Sequence, residues 1–151
     1  TNSYVVCLAS NVRGTGFISG HADGSIIRYY VAEDNAMEKQ CRVVIHPTPP
    51  YCLAWPSGGF LMAAGCDRRV VFYDTDGHPY KQFDYPNEKE FTVAACSPSG
   101  QAVAVGSFNR IRTYTWAPRK MTWEETPPKE IQNLYTVTAL AWKRDGSRVA
   151  C

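Results

Sequence analysis

A chain of 151 residues with 44% hydrophobic, 13% aromatic and only 20% charged side chains can bury a sizeable core, which excludes a disordered tract. Its formal net charge of +2 is too small to define a nucleic-acid stripe or a strongly basic membrane patch. No apolar run approaches the roughly 18 residues that a membrane helix needs, and the opening at Thr1 carries no signal-peptide pattern.

In chain order, residues 4–9 read as a strand that is apolar on both faces. A Gly-containing turn leads to a second strand over 16–19, a tight turn to a third over 25–30, and a more polar fourth follows at 42–45. The same four steps return at 51–55, 60–64, 70–73 and 80–83, and again at 91–96, 102–105, 111–116 and 121–125. A further round begins at 137–142 and from 148 onward. No segment keeps helical periodicity.

Two columns of residues set the register. Ser10, Trp55, Cys96 and Trp142 close the first strand of each round at spacings of 45, 41 and 46 residues. Gly20, Gly65 and Gly106 stand near the end of the second strands, 45 and 41 residues apart. A four-stranded unit recurring every 40–45 residues is the signature of a WD-repeat β-propeller. An immunoglobulin-like sandwich, the alternative for short strands, lacks such self-similarity. The expectation is therefore an all-β chain of about three and a half four-stranded blades, over 4–45, 51–85, 90–132 and, for two strands only, 135–151. A propeller escapes exposed sheet edges by closing a ring of four to eight blades. The functional molecule is therefore expected to continue in both directions, and the absence of an initiator Met agrees with that expectation.

The six cysteines, Cys7, Cys41, Cys52, Cys66, Cys96 and Cys151, form no C-x-x-C and no zinc-ligand spacing. They read as reduced structural thiols on the cytoplasmic side. His21, His46 and His78 are expected in turns, Ser97-Pro98-Ser99-Gly100 is a hairpin turn with no nucleophile elbow, and no phosphate-cradling loop is present. Glu88, Glu90, Glu124, Glu125 and Glu130 look scattered. Neither catalysis, a metal, a cofactor nor a small-molecule substrate is expected, and a nucleic-acid partner is disfavoured because acids interleave with the basic residues.

Two groups of residues carry expectations. Strong WD units tie each blade with a buried network of His, Asp, Ser or Thr, and Trp. Here only the second unit keeps a remnant: His46 before its first strand, Asp67 in the turn after its second, and Tyr73 where Trp would stand. The other reading of His46 is a solvated, unpaired side chain. The turns between second and third strands lie on one rim, where Arg68 and Arg69, then Phe108 and Arg110, make an interface-like combination of arginine and exposed aromatic. Ordinary solvated turn residues are the competing reading. Arg119, Lys120 and Trp123 are expected around the opposite rim, and the Pro-rich stretches 46–50 and 126–129 as stiff connectors.

The strings TNSYVVCLASN, SGHADGSIIRYY, HPTPPYCLAW, AAGCDRRVVFY and KEIQNLYTVTALAWKRDGSRV resemble the N-terminal WD region of the intraflagellar transport protein 172 family. That resemblance covers essentially the whole chain. It implies a non-catalytic scaffold subunit of the intraflagellar transport B complex, needed for cilium assembly and train movement, at the ciliary base and axoneme. It implies partners among the other subunits of that complex, including the 57 and 80 subunits. It places none of the rim or network residues individually. The alternative function is a coat-like propeller touching membrane or vesicle cargo.

Overall fold

A computed structural model describes residues 2–31, 39–130 and 135–151, and for residues 39–42 and 128–130 the backbone alone. Residues 32–38, within the first predicted repeat, and 131–134, across the end of the third, lie outside the described residues, as do the side chain of Cys41 and most of the acidic stretch that begins at Glu33.

Strict alternation in the middle of the chain decides the core. The central sheet consists of β5 (Cys52–Ala54), β6 (Leu61–Ala64), β7 (Arg69–Tyr73) and β8 (Pro79–Asp84), where the labels count strands from the N-terminus. Before it comes a sheet of β1 (Val5–Ser10), β2 (Gly16–His21), β3 (Ser25–Tyr30) and β4 (Lys39–Ile45). After it come β9 (Val93–Cys96), β10 (Ala102–Gly106), β11 (Arg110–Ala117) and β12 (Thr122–Glu130), and then a hairpin of β13 (Ala141–Trp142) and β14 (Val149–Ala150). Each sheet is an antiparallel meander whose strands pair in chain order.

On the central sheet Leu53, Trp55, Leu61, Ala63, Val71 and Tyr73 pack towards Ile18 and Ile26 of the first sheet. The intervening Cys52, Ala54, Met62, Ala64, Val70 and Phe72 pack towards Phe91, Val103, Val105, Tyr114 and Trp123 of the third. Period-2 alternation therefore fills two interfaces at once, because each strand sends successive side chains to opposite faces. Burying one such large side chain contributes roughly 1.5–3 kcal/mol relative to exposure. Phe72 and Trp123 stack with ring centroids 4.5 Å apart. Trp123 is thus core, 1% exposed, and not a residue of the opposite rim.

The chain departs from its predicted register in three places. Among residues 137–142 only Ala141 and Trp142 enter the ladder of the last hairpin, although Val137 is buried and its N–H reaches Ser107 O at 3.1 Å. Residues 126–129, expected as a connector, continue β12, where Lys129 still pairs with Ile111. Pro127 and Pro128 are tolerated because β12 is the outer strand of its sheet and they fall at the register shift opposite Ile111 to Thr113. The glycine column also slips. Cys7 pairs with Gly20 and Val93 with Gly106, whereas Cys52 pairs with Ala64, so Ala64 and not Gly65 fills the equivalent slot. That slot faces the next sheet's first strand. A Cβ at Gly20 would come within 2.8 Å of Pro50 Cγ, and one at Gly106 within 2.7 Å of Val137 Cγ1.

The first strands β1, β5, β9 and β13 lie side by side, and Asn11 bridges Trp55 in parallel. They make the concave wall of an open arc, with a trough of about 570 Å³ lined by residues such as Leu8, Leu53, Ala95 and Trp142. The Trp142 indole N–H donates to Ala95 O at 2.9 Å. Among the described residues, no helix is long and apolar enough to cross a membrane.

Candidate interaction rim

His46 lies on the link between β4 and β5. Its own N–H donates to Gly24 O at 2.8 Å, which carries the ring under the central sheet, where it is 1% exposed. Nδ1 stands 2.7 Å from the Tyr73 hydroxyl and Nε2 stands 3.5 Å from Asp67 Oδ2. The second contact is electrostatic and too long for a hydrogen bond; both Asp67 oxygens and His46 Nε2 are buried without a hydrogen-bond partner. Burial pulls the His46 pKa below its ordinary value, against the opposing pull of the Asp67 charge. Burial, helped by the same charge, pushes the Tyr73 hydroxyl up to about 12. One neutral tautomer suits both neighbours, with Nδ1 accepting from Tyr73 O–H and Nε2–H turned to Asp67. The three residues singled out in the sequence are therefore adjacent. Tyr73, standing where a stronger WD unit has Trp, reaches His46 directly through its hydroxyl.

The rim residues come from three loops at the same end. Arg68 occupies the β6–β7 turn and Arg69, expected in that turn, instead opens β7 and pairs with Asp84; Phe108 and Asn109 occupy the β10–β11 turn with Arg110 at the start of β11, and residues 86–90 run between them. Arg68 donates from Nη1 to Pro86 O at 3.0 Å. Arg69 Nε lies 3.1 Å from Asp84 Oδ1, both side chains about half exposed, at 49% and 57%. Such a pair contributes at most about 1 kcal/mol. Arg110 Nη1 lies 3.0 Å from Glu88 Oε1. Phe108 is 36% exposed and pairs through its backbone with Thr136.

Gly24, Arg68 and Asn109 hold one equivalent turn position, with φ of 85°, 57° and 50°. Only glycine adopts this left-handed conformation without a steric cost, and asparagine tolerates it better than arginine.

A charged cluster beneath the rim escaped the sequence reading. Arg112, 7% exposed on β11, pairs with both Glu88 and Glu125 and lies 3.9 Å over the Tyr85 ring. The Tyr85 hydroxyl meets the Tyr114 hydroxyl and Glu125 Oε2, each at 2.7 Å. Ser107 donates to Glu88 Oε2 at 3.3 Å. Burial lowers the Arg112 pKa, but the hydrogen bonds and charges of the two glutamates outweigh it and raise it. Glu88 and Glu125, which look scattered along the chain, therefore converge. The available signal was an arginine at a strand position where the sheets before it carry Ile27 and Val71, since a buried arginine requires partners.

The remaining polar groups act locally. His21 ends β2 rather than lying in a turn. It is 5% exposed, 2.9 Å from the equally buried Ser19 Oγ and 3.0 Å from Ser3 O, and braces the first sheet. His78 stays in an exposed turn beside Asp74, whose carboxylate already accepts the N–H groups of Asp76 and His78. Arg119 and Lys120 are exposed, and Lys120 pairs with Glu124. Cys7, Cys52, Cys66, Cys96 and Cys151 are free thiols. Burial raises Cys7 to about 12 and Cys96 to about 11.

The WD domain, G-beta repeat family matches residues 39–74. Across 99% of the chain the sequence is 56% identical to the intraflagellar transport protein 172 homolog of Rattus norvegicus and 55% identical to that of Drosophila melanogaster, covering 9% of each. It is 44% identical over 98% of its length to intraflagellar transport protein 172 of Chlamydomonas reinhardtii, covering 8% of that protein. The chain is homologous to a segment of the intraflagellar transport 172 family. It spans less than a tenth of the length of the curated relatives that it matches. The matched repeat starts in β4 of the first sheet and ends one residue after β7 of the central sheet. In this chain the matched repeat is thus staggered by one strand against the sheets, and His46 sits at the step.

Proposed function

We propose that this segment belongs to a non-catalytic interaction scaffold of the intraflagellar transport B complex, serving cilium assembly and train movement. Its partners on this reading are other subunits of that complex, including the 57 and 80 subunits. Its place is the ciliary base and axoneme, on the reducing, cytoplasmic side. The observation that carries the reading is the identity of 56% sustained over 99% of the chain. The stacked sheets support it, because they engage His21, His46, Glu88 and Arg112 in struts within the fold and leave the turn rims to face other molecules. On this reading His46, Asp67 and Tyr73 hold the central blade together, the blades follow the limits read from the sequence, and Arg68, Arg69, Phe108 and Arg110 belong to the partner-binding rim.

The test is co-precipitation of the full-length protein from ciliated cells, wild type against a triple Arg68→Glu, Arg69→Glu, Arg110→Glu variant. Loss of defined subunits from the variant, with ciliary length reduced, supports the reading. An unchanged set of subunits removes the rim from it.

A further inference from the structure

Pairing sorts the charges of the rim into two classes. Arg69 is matched by Asp84, and Arg110 and Arg112 are matched by Glu88 and Glu125. Arg68 is exposed, gives one N–H to a backbone carbonyl and meets no carboxylate among the described residues. Lys89 is exposed and has no ion-pair partner among them either. Against these two unmatched cations stands one unmatched exposed acid, Glu90.

Three shallow hollows of about 370, 270 and 120 Å³ run beside one another along residues 86–90. Lys89 borders all three, Arg68 borders the first, and Phe108 borders the other two. The strip is held before any partner arrives. Tyr85 N–H donates to Arg68 O at 3.0 Å, Phe91 N–H to Gly65 O at 3.3 Å and Thr92 N–H to Gly106 O at 3.0 Å. Glu88, anchored on Arg112, holds the middle of the loop from below. A surface ordered in advance loses little freedom on binding, which lowers the cost of association.

We infer that this strip docks an acidic, extended segment of another protein, with an apolar side chain of that segment against Phe108 and its carboxylates against Lys89 and Arg68. The inference rests on the reading of the rim as an interaction surface. It moves charge recognition away from Arg69 and Arg110, whose charge is already matched, to Arg68 and to Lys89. A surplus of one exposed cation, with the Asp67 carboxylate buried beside His46, is too small to hold a polyphosphate chain, whereas it suffices to select an acidic peptide over a basic one.

The direct test uses the full-length protein and two fluorescent octapeptides, one alternating Glu with Leu and one alternating Lys with Leu. Anisotropy is expected to show saturable, salt-sensitive binding of the acidic peptide only. Combined Lys89→Glu and Arg68→Glu weakens it about tenfold, Arg69→Glu leaves it within about twofold, and Glu90→Gln strengthens it. The gain with Glu90→Gln is a readout that misfolding does not produce. Equal binding of both peptides, binding of neither, or indifference to charge reversal at Lys89 and Arg68 overturns the inference. Co-precipitation separates it from the broader reading. Partners lost with Phe108→Ser but kept with the Lys89 and Arg68 reversals leave the rim standing and remove the acidic segment; partners kept with both remove the rim as well.

Discussion

The Tyr73 hydroxyl reaches 2.7 Å from Nδ1 of His46, a residue 27 positions earlier on the link that leaves the first sheet. This one bond ties the third strand of the central sheet to the segment that enters it, at the step where the sequence repeat passes from one sheet to the next. It also leaves the neighbouring Asp67 carboxylate buried with only an electrostatic contact.

Tyr73→Phe removes the hydroxyl and keeps the ring, so His46 Nδ1 is left buried and unpartnered. The expected loss is about 1–3 kcal/mol, the desolvation cost of an orphaned polar atom. Urea denaturation followed by tryptophan fluorescence reads it, and an unchanged midpoint excludes a stabilising role for the bond.

Stability should depend on pH through His46. Burial lowers its pKa in the folded state below the ordinary 6.5, so the unfolded chain takes up a proton more readily than the folded one. The contribution is fully present above about pH 6.5, declines as pH falls, and levels off below the folded-state pKa. The side chains that bear on the ring are Asp67, Tyr73 and Arg69. Melting temperatures collected across this range should fall on the acidic side, and His46→Gln should flatten the slope without abolishing folding.

Arg112→Leu leaves Glu125 without a cation and Glu88 with Arg110 as its remaining one, and should cost about 3 kcal/mol, because the Glu125 charge stays largely buried. Adding Glu88→Gln and Glu125→Gln to the same chain should recover most of that loss. Calorimetry of the single and triple variants decides the point; a single variant as stable as wild type removes the cluster from the account of stability.

Arg68→Gly should stabilise the chain by about 1 kcal/mol, since glycine meets no steric cost at a φ of 57°. On the docking inference the same substitution weakens acidic-peptide binding. A raised melting temperature combined with reduced affinity is the expected signature, and a lowered one excludes strain at this turn.

The parts of the fold that were legible in the sequence are those written locally. Alternation in CLAWP and RVVFY marks strands buried on both faces, and repetition at about 40–45 residues marks the stacked four-stranded units. His46, Asp67 and Tyr73 could be grouped because they fall at fixed offsets within one unit. Trp123 and residues 126–129 were misplaced because a strand's outer limit depends on what its neighbour pairs with. The Ala64 slot was misread as Gly65 because two loops of compensating length hide a one-residue shift.

By itself the sequence determined an all-β chain, its repeat and the resemblance that its relatives support, because periodicity and turn chemistry act over a few residues. Only the tertiary structure decided which charges of the rim are available. Asp84, Glu88 and Glu125 lie 13 to 24 residues from the arginines that they neutralise, and pairing across that distance is set by strand register and sheet stacking. What remains unmatched, Lys89 and Arg68 beside Phe108, is a property of the packed rim, since a charge is free only relative to the partners that folding brings within its reach.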